Sequence, residues 1–287
     1  MLYAHGGLNS ETYAVTVADR LWGTAKNQGI CPYIFIWESS WDESLMGYLK
    51  SEDDQTGPAG FSFGDAWSKF KDGLGKIVEK GQQWMGEKLA PAVRTAFWNE
   101  MKGRCEGATK PKGGAALFLD ELINAMKTTP GERYKIHLVG HSAGSIFHGF
   151  LYENVLRARL AAMPNVSLAS IQFLAPAISI GRATQAFFTG GVGAVPVSNF
   201  LVHTLAPADE ESDSIVVYPS SLLTYVANHL ESSEERVPIL GIRKDFQSAP
   251  VTFATEQNAT NSHRHGEFDD KGHEIDGVIQ SIGKAIY

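Results

Sequence analysis

A glycine-flanked serine at the junction of a strand-like run and a helical pattern constrains this sequence most. Residues 135–139 read KIHLV, a short apolar run typical of a buried strand, and the letters GHSAG follow directly at 140–144. Apolar positions then recur at helical spacing over 146–155. A strand that turns so abruptly into a helix leaves little room for side chains at the two flanking glycines. The pattern therefore predicts a strained turn that presents the hydroxyl of Ser142 at the carboxyl edge of a sheet.

Strand-like runs and helical patterns alternate along most of the chain. This alternation is typical of a parallel sheet covered by helices on both faces, so we predict an α/β fold with a mostly parallel sheet. The strand-like runs lie at 2–4, 33–37, 135–139, 167–174, 200–205 and 251–254. Helical patterns follow Ser10 and Gly114 and occur at 146–155, 221–230 and 275–286.

Residues 40–112 interrupt the alternation, because they contain no strand-like run. Apolar positions from Trp67 to Leu89 keep a helical period there, although several glycines weaken the helix propensity. We interpret 40–112 as a helical insertion that either caps the mouth of an active site or simply packs on the sheet. Residues 1–39 and 113–287 then form the core.

Charge and cysteine content exclude several functional classes. The net charge is -7 with a charged fraction of 20%, so there is no basic stripe for nucleic acid. Cys31 and Cys105 form neither a disulfide framework nor a zinc site. Neither a signal peptide nor an apolar run of membrane-spanning length is present, which predicts a cytoplasmic protein without a stable membrane anchor. The oligomeric state is left open.

A second glycine-rich loop, His5-Gly6-Gly7-Leu8, follows the first strand-like run. Glycines at such a loop let backbone amides approach a substrate carbonyl closely. An HGG loop followed by a GHSAG turn resembles the esterase and lipase members of the α/β-hydrolase superfamily, and the resemblance spans nearly the whole chain. It implies an α/β-hydrolase fold and an oxyanion hole made by amides of Gly6, Gly7 and Ala143, with His5 shaping the loop.

The chain departs from the superfamily at its start. The superfamily usually has two further strands before the HGG strand, whereas here the first strand-like run begins at Leu2. Either the sheet is shortened or an N-terminal piece is missing.

The resemblance also implies an acid and a histidine that follow the serine in that order. Asp213, in Asp-Ser-Ile-Val after a late strand, is similar to the superfamily's acid, and Asp209 is the alternative. The interpretation left beside these two is that the acids form a solvated loop that supplies caps for the next helix. His265, which precedes Gly266 just before the terminal helix, is similar to the superfamily's catalytic histidine. His263 and His273 remain alternatives.

The remaining histidines have ordinary structural interpretations. We interpret His141 as a packing or cap contact that points away from the serine hydroxyl, and His137, His148, His203 and His229 as structural. The C-terminal histidines and acids match no zinc signature, and Asp269 and Asp270 are interpreted as first-turn charges on the last helix. No metal site is predicted.

The function implied by the resemblance is cleavage of carboxylic esters through an acyl-enzyme, with Ser142, His265 and Asp213 as a triad and no cofactor. The aromatic content of 10% suggests a small-molecule ester with apolar groups as substrate. Two alternatives stay open: an amidase or peptidase that uses the same triad, and a non-catalytic binding module built on the same fold.

Overall fold

The alternating pattern forms one parallel sheet in a computed structural model of the chain. The structure describes residues 1–7, 11–37, 94–127, 132–188, 199–213, 220–249 and 251–285. Within these ranges six parallel strands pair in the order β2-β1-β3-β4-β5-β6. They are β1 (Leu2–Ala4), β2 (Tyr33–Phe35), β3 (Tyr134–His141), β4 (Val166–Leu174), β5 (Phe200–Thr204) and β6 (Thr255–Asn258). The predicted α/β class is confirmed.

Helices of uneven length connect and cover the strands. The longer ones are α1 (Glu11–Asn27), α2 (Glu100–Thr109), α3 (Gly114–Lys127), α4 (Gly144–Leu151) and the terminal α10 (Glu274–Lys284). Shorter ones are α5 (Arg157–Ala161), α6 (Ile180–Ala183), α7 (Pro207–Ser212), α8 (Leu222–Tyr225) and α9 (Arg243–Ser248). Turns of π-helix lie at Arg94–Asn99, Tyr152–Leu156, Thr184–Phe188 and Val226–Leu230, and a 3-10 turn at His265–Glu267.

Two neighbouring residues of β4 show that helices cover both faces of the sheet. Successive side chains of a strand point to opposite faces. The amide of Gln172 donates to Ser281 of α10 at 3.2 Å, whereas the ring of Phe173 stacks on His148 of α4 at 6.2 Å. Helices α10 and α4 therefore lie on opposite sides of the sheet.

Strand β3 occupies an interior position, between β1 and β4. Leu138 and Val139 are fully buried, which explains why this strand is apolar without alternation. Because β1 and β3 are parallel, their carboxyl ends meet at the same edge of the sheet. That edge brings the HGG loop, which follows β1, next to the GHSAG turn, which follows β3.

The last strand differs from the sequence prediction. The predicted strand 251–254 was wrong, since the pairing segment is Thr255–Asn258, four residues later. Phe253 and Ala254 are buried in irregular backbone, and their apolar character reflects that burial. The true strand is polar and largely exposed because it lies at the edge of the described sheet.

Part of the predicted insertion is described, from Arg94 onward. Trp98, Met101 and Cys105 are buried in the hydrophobic core, and α2 packs against α4. Residues 38–93, with the helix predicted from Trp67 to Leu89, lie outside the described residues, as do residues 8–10, 128–131 and 214–219. In the part of the chain that the structure describes, no helix is both long and apolar enough to cross a bilayer.

Candidate active site

Ser142 lies in the predicted sharp turn between β3 and α4, with a φ of 51°. This left-handed conformation is uncommon for a residue other than glycine and costs about 1–3 kcal/mol, so the surroundings must hold it. The Ser142 amide donates to the Leu174 carbonyl at 2.9 Å. The Ser142 carbonyl accepts from the Ala177 amide at 3.0 Å and from the Ser145 hydroxyl at 2.6 Å. The turn is therefore held by hydrogen bonds to the end of β4, to the segment after β4 and to α4.

The two flanking glycines are required by close packing, as the sequence predicts. A Cβ at Gly140 would lie 3.0 Å from the Gly144 carbonyl carbon and 3.0 Å from the ring of His148. A Cβ at Gly144 would lie 2.7 Å from the carbonyl carbon of Ala4, at the end of β1. A Cβ at Gly144 is not possible without moving backbone, and one at Gly140 requires its neighbours to shift by a few tenths of an ångström.

The structure brings Ser142 and His265 together. Oγ of Ser142 lies 2.8 Å from Nε2 of His265, which is hydrogen-bond distance, across 123 residues of chain. Both residues are buried, with 6% and 7% of their surface exposed. A serine hydroxyl beside an unprotonated ring nitrogen is the arrangement that general-base activation requires.

The segment that carries His265 is fixed on both sides of the ring. The carboxylate of Glu267 accepts from the amides of His263 and Arg264 at 2.9 and 3.1 Å, which closes the 3-10 turn. The His265 carbonyl accepts from Nε2 of His141 at 2.9 Å. The His265 amide donates to Oδ2 of Asp213 at 2.8 Å. These bonds orient the ring toward the serine.

Asp213 therefore contacts His265 through the backbone. Its carboxylate accepts the main-chain N–H, and Nδ1 of the His265 ring is buried without a hydrogen-bond partner among the described residues. An unpaired buried N–H costs about 1–3 kcal/mol, so Nδ1 is a position where an acceptor would stabilise the ring. Residues 214–219, which follow Asp213 directly, lie outside the described residues.

The electrostatic surroundings keep His265 neutral. Burial and then the positive charge of His141 lower the pKa of His265 to about 3, while Asp269 acts weakly in the other direction. Burial raises the pKa of Asp213, although the His265 amide and Arg264 oppose that shift. At pH 7 the His265 ring is therefore neutral, and in the tautomer protonated at Nδ1 its Nε2 has a free lone pair for the serine proton.

The HGG loop packs directly on the serine turn. A Cβ at Gly6 would lie 3.2 Å from Cβ of Ser142, and one at Gly7 would lie 3.2 Å from Cβ of Ala143. Glycine at both positions therefore lets this backbone approach the hydroxyl. The amide of Ala143 donates no hydrogen bond to any residue that the structure describes. It is free to bind a negatively charged oxygen.

His5 shapes this loop, and among the described residues its contacts are with the loop backbone and Trp37 rather than with the serine hydroxyl. Its Nδ1 donates to the Gly6 carbonyl at 2.6 Å, and its Nε2 accepts from the Trp37 amide at 3.3 Å. The Trp37 indole donates in turn to the His5 carbonyl at 3.3 Å. Burial lowers the pKa of His5, which keeps the ring neutral in this arrangement.

The alternative residues lie elsewhere. His263 is exposed and pairs with Asp209 at 3.1 Å, and His273 lies 3.3 Å from the hydroxyl of Ser262. His137 contacts the Ser170 hydroxyl and His148 contacts the Val139 carbonyl. Of the histidines with a described contact, His265 is the one at Ser142.

The sequence interpretation missed a buried ion pair. Asp269 was predicted as a first-turn charge on the last helix, and this is wrong because α10 begins at Glu274 and Asp269 is 1% exposed. Its Oδ2 lies 3.2 Å from Nδ1 of His141 and accepts from the Tyr3 hydroxyl at 2.8 Å. His141 is thus more than a packing contact. A buried carboxylate carries no local sequence signal, since the usual expectation for an aspartate is exposure.

The described residues contain no cluster of three or more histidine, cysteine or acidic side chains that could hold a metal ion. No family model, curated protein or solved structure matches this chain.

Proposed function

We propose that this chain is a serine hydrolase of the α/β-hydrolase type that cleaves carboxylic esters through an acyl-enzyme. The observation that carries the proposal is the 2.8 Å contact between Oγ of Ser142 and Nε2 of His265 at a turn with positive φ. A strained strand-to-helix turn that presents a serine to a histidine is the arrangement of a nucleophile elbow. The free amide of Ala143 and the adjacent glycine loop support the same interpretation.

In the proposed reaction, His265 removes the Ser142 proton as the oxygen attacks the ester carbonyl. The negative charge that develops on the carbonyl oxygen is stabilised by the Ala143 amide, at the N-terminus of α4, and by the Gly6 and Gly7 loop. His265 then protonates the departing alcohol. A water molecule, deprotonated by His265, attacks the acyl-enzyme, and His265 returns that proton to the departing Ser142 oxygen as the carboxylic acid is released.

Asp213 is the acid in this proposal. An imidazole that accepts a proton becomes a cation, and a nearby carboxylate stabilises it. Asp213 already binds the backbone of His265, and it is half buried beside that residue. Asp209, by contrast, pairs with the exposed His263. The carboxylate next to His265 is therefore the better candidate.

An apolar groove supports a substrate with apolar groups. The groove has a volume of about 500 Å³ and is lined by aromatic side chains that include Phe35, Trp37 and Phe147. Trp37 also stacks on His5 of the HGG loop, with ring centroids 5.7 Å apart. The groove therefore begins beside the candidate oxyanion loop, where an acyl or alcohol chain would extend from the reacting carbonyl.

A panel of p-nitrophenyl esters of rising chain length, run beside aminoacyl anilides, tests the proposal. We expect ester hydrolysis that Ser142→Ala reduces by about 10³-fold or more without a change in fold. Faster cleavage of the anilides would assign an amidase instead. A wild-type chain that cleaves neither class, or a variant as active as wild type, would refute the proposed function.

A further inference from the structure

His141, the residue before the candidate nucleophile, contacts two groups that only accept hydrogen bonds. Its Nε2 lies 2.9 Å from the His265 carbonyl, and its Nδ1 lies 3.2 Å from Oδ2 of Asp269. The first contact needs a proton on Nε2. In the second contact Oδ2 of Asp269 lies off the N–H direction of Nδ1, so the contact is an ion pair rather than a well-directed hydrogen bond. The ion pair is attractive when Nδ1 also carries a proton.

The surroundings of Asp269 keep its carboxylate ionised. Burial opposes ionisation, but His141, the Tyr3 hydroxyl and Arg20 together lower the pKa of Asp269 to about 2. The Arg20 guanidinium also donates to the backbone carbonyl of Asp269. With Asp269 negative, the pKa of His141 is raised in spite of full burial, helped by the His265 carbonyl and Asp270. A singly protonated ring would leave one of the two contacts unsatisfied.

Besides these groups, His141 is faced by two other histidines. Its ring lies 5.3 Å from the His265 ring, and its positive charge adds to burial in lowering the pKa of His5. A Cβ at Gly6 would lie 3.3 Å from Nδ1 of His141. His141 thus touches the histidine loop and the HGG loop while belonging to the serine turn itself. The three parts of the proposed site meet at this one side chain.

We propose that His141 is a positioning residue: held doubly protonated by Asp269, it fixes the His265 carbonyl and so keeps the His265 ring at the Ser142 hydroxyl. The inference rests on the proposed function and assigns a second buried dyad to the same site. His141 has no described contact with the Ser142 hydroxyl, so it acts through the placement of His265. Displacement of a reacting group by about 1 Å can cost about 10²-fold in rate.

Two amide substitutions separate the two contacts of His141. In His141→Gln the side-chain nitrogen reaches about as far as Nε2 of histidine, so it can still donate to the His265 carbonyl. In His141→Asn the nitrogen reaches about as far as Nδ1, so the bond to the His265 carbonyl is lost. Both variants remove the positive charge and the ion pair with Asp269, which makes each a matched control for the other.

We expect His141→Asn to lower kcat for ester hydrolysis by about 10²-fold with KM unchanged. His141→Gln should have a kcat closer to the wild-type value than to that of His141→Asn, because it retains the bond that positions His265. Equal kcat values for the two variants, or a more active His141→Asn, would overturn the proposal. Such results would instead assign His141 to the ion pair with Asp269 alone.

A measurement on the wild-type chain needs neither variant to fold. In NMR spectra of the protein with nitrogen-labelled histidine, both ring nitrogens of His141 should be protonated at pH 6, which is below the ordinary histidine value that the site raises. A single protonated nitrogen would overturn the proposal. If the wild-type chain shows no hydrolase activity, the proposed function fails, and the NMR result alone decides whether His141 is the buried cation described here.

Discussion

Gly144, the first residue of α4, lies against the backbone at the end of β1. A Cβ added there would lie 2.7 Å from the Ala4 carbonyl carbon and 2.9 Å from the His5 carbonyl oxygen, whereas ordinary contact begins at 3.4 Å. The nearest neighbour is the Ala4 carbonyl oxygen, which the Cβ would overlap, so α4 and the end of β1 must separate by more than about 1 Å to admit a methyl group. Overpacking of this kind costs about 1–3 kcal/mol.

Gly144→Ala should therefore lower Tm by about 2–12 °C. It should also lower kcat for p-nitrophenyl acetate by up to about 10²-fold, because Ser142 and the Ala143 amide move relative to the loop that faces them. Differential scanning calorimetry measures the change in Tm and steady-state kinetics the change in kcat, both on the same preparation.

Gly23→Ala is the matched control for this prediction. Gly23 lies in α1, and a Cβ there would meet no atom within 4 Å. Because alanine favours a helix interior over glycine, this variant should be stabilised by about 0.5–1 kcal/mol, with unchanged kcat. A Gly144→Ala chain with wild-type Tm and wild-type kcat would refute the packing on which the proposed oxyanion hole depends.

Three further predictions concern the acids and the pH dependence. Asp213→Asn should lower kcat by about 10–10²-fold, because it removes the charge that stabilises the His265 cation and that accepts from the His265 amide, whereas Asp209→Asn should not; the reverse order would assign the acid to Asp209. In the free enzyme His265 becomes protonated only as the pH falls toward about 3. The plot of kcat/KM against pH should therefore be level around pH 6.5 and decline far below it. An inflection at pH 6.5 would contradict the burial of that ring. Asp269→Ala should destabilise the fold by about 3–5 kcal/mol in urea titrations, since it removes the ion partner of His141 and the acceptor of the Tyr3 hydroxyl, whereas Asp270→Ala should cost about 1 kcal/mol at most; similar values for both would disprove the buried ion pair.

The pairing of Asp269 with His141 also has a defined pH window. The pKa of Asp269 falls from an ordinary value of 3.8 to about 2 on folding, so its contribution to stability is complete above the unfolded value and is lost as the pH falls through 2. The pKa of His141 is raised, so its contribution is present below the ordinary 6.5 and is lost as the pH rises through the folded value. The pair stabilises the fold most between these limits.

Local rules explain what the sequence predicted well. The turn at Ser142 was predictable because a strand, a small-residue turn and a helix follow one another within about twenty residues, and each has its own signal. The helix α3 was predicted for the same reason. Its buried face nevertheless consists of Ala115, Ala116, Leu119 and Ile123, while Leu117 is 52% exposed, because packing against neighbouring elements decides which apolar residues are covered.

Long-range pairing explains what the sequence did not reveal. Tyr3 and Asp269 are hydrogen-bonded although 266 residues separate them, and no periodicity links the two. The polar strand Thr255–Asn258 was missed because an edge strand needs no apolar run. The adjacent residues 251–254 are more apolar and were predicted as the strand instead. Nor does a local pattern indicate that Asp213 contacts the backbone of His265 rather than its ring.

Labelling with a fluorophosphonate tests whether Ser142 is a nucleophile, because the reaction requires a serine oxygen that a neighbouring base activates. We expect one equivalent of label on the peptide that contains Ser142. The label should be lost in His265→Ala and retained in His263→Ala, because the His263 ring pairs with Asp209 and not with Ser142. Absence of label at Ser142 in the wild-type chain, or labelling undiminished by His265→Ala, would contradict this expectation.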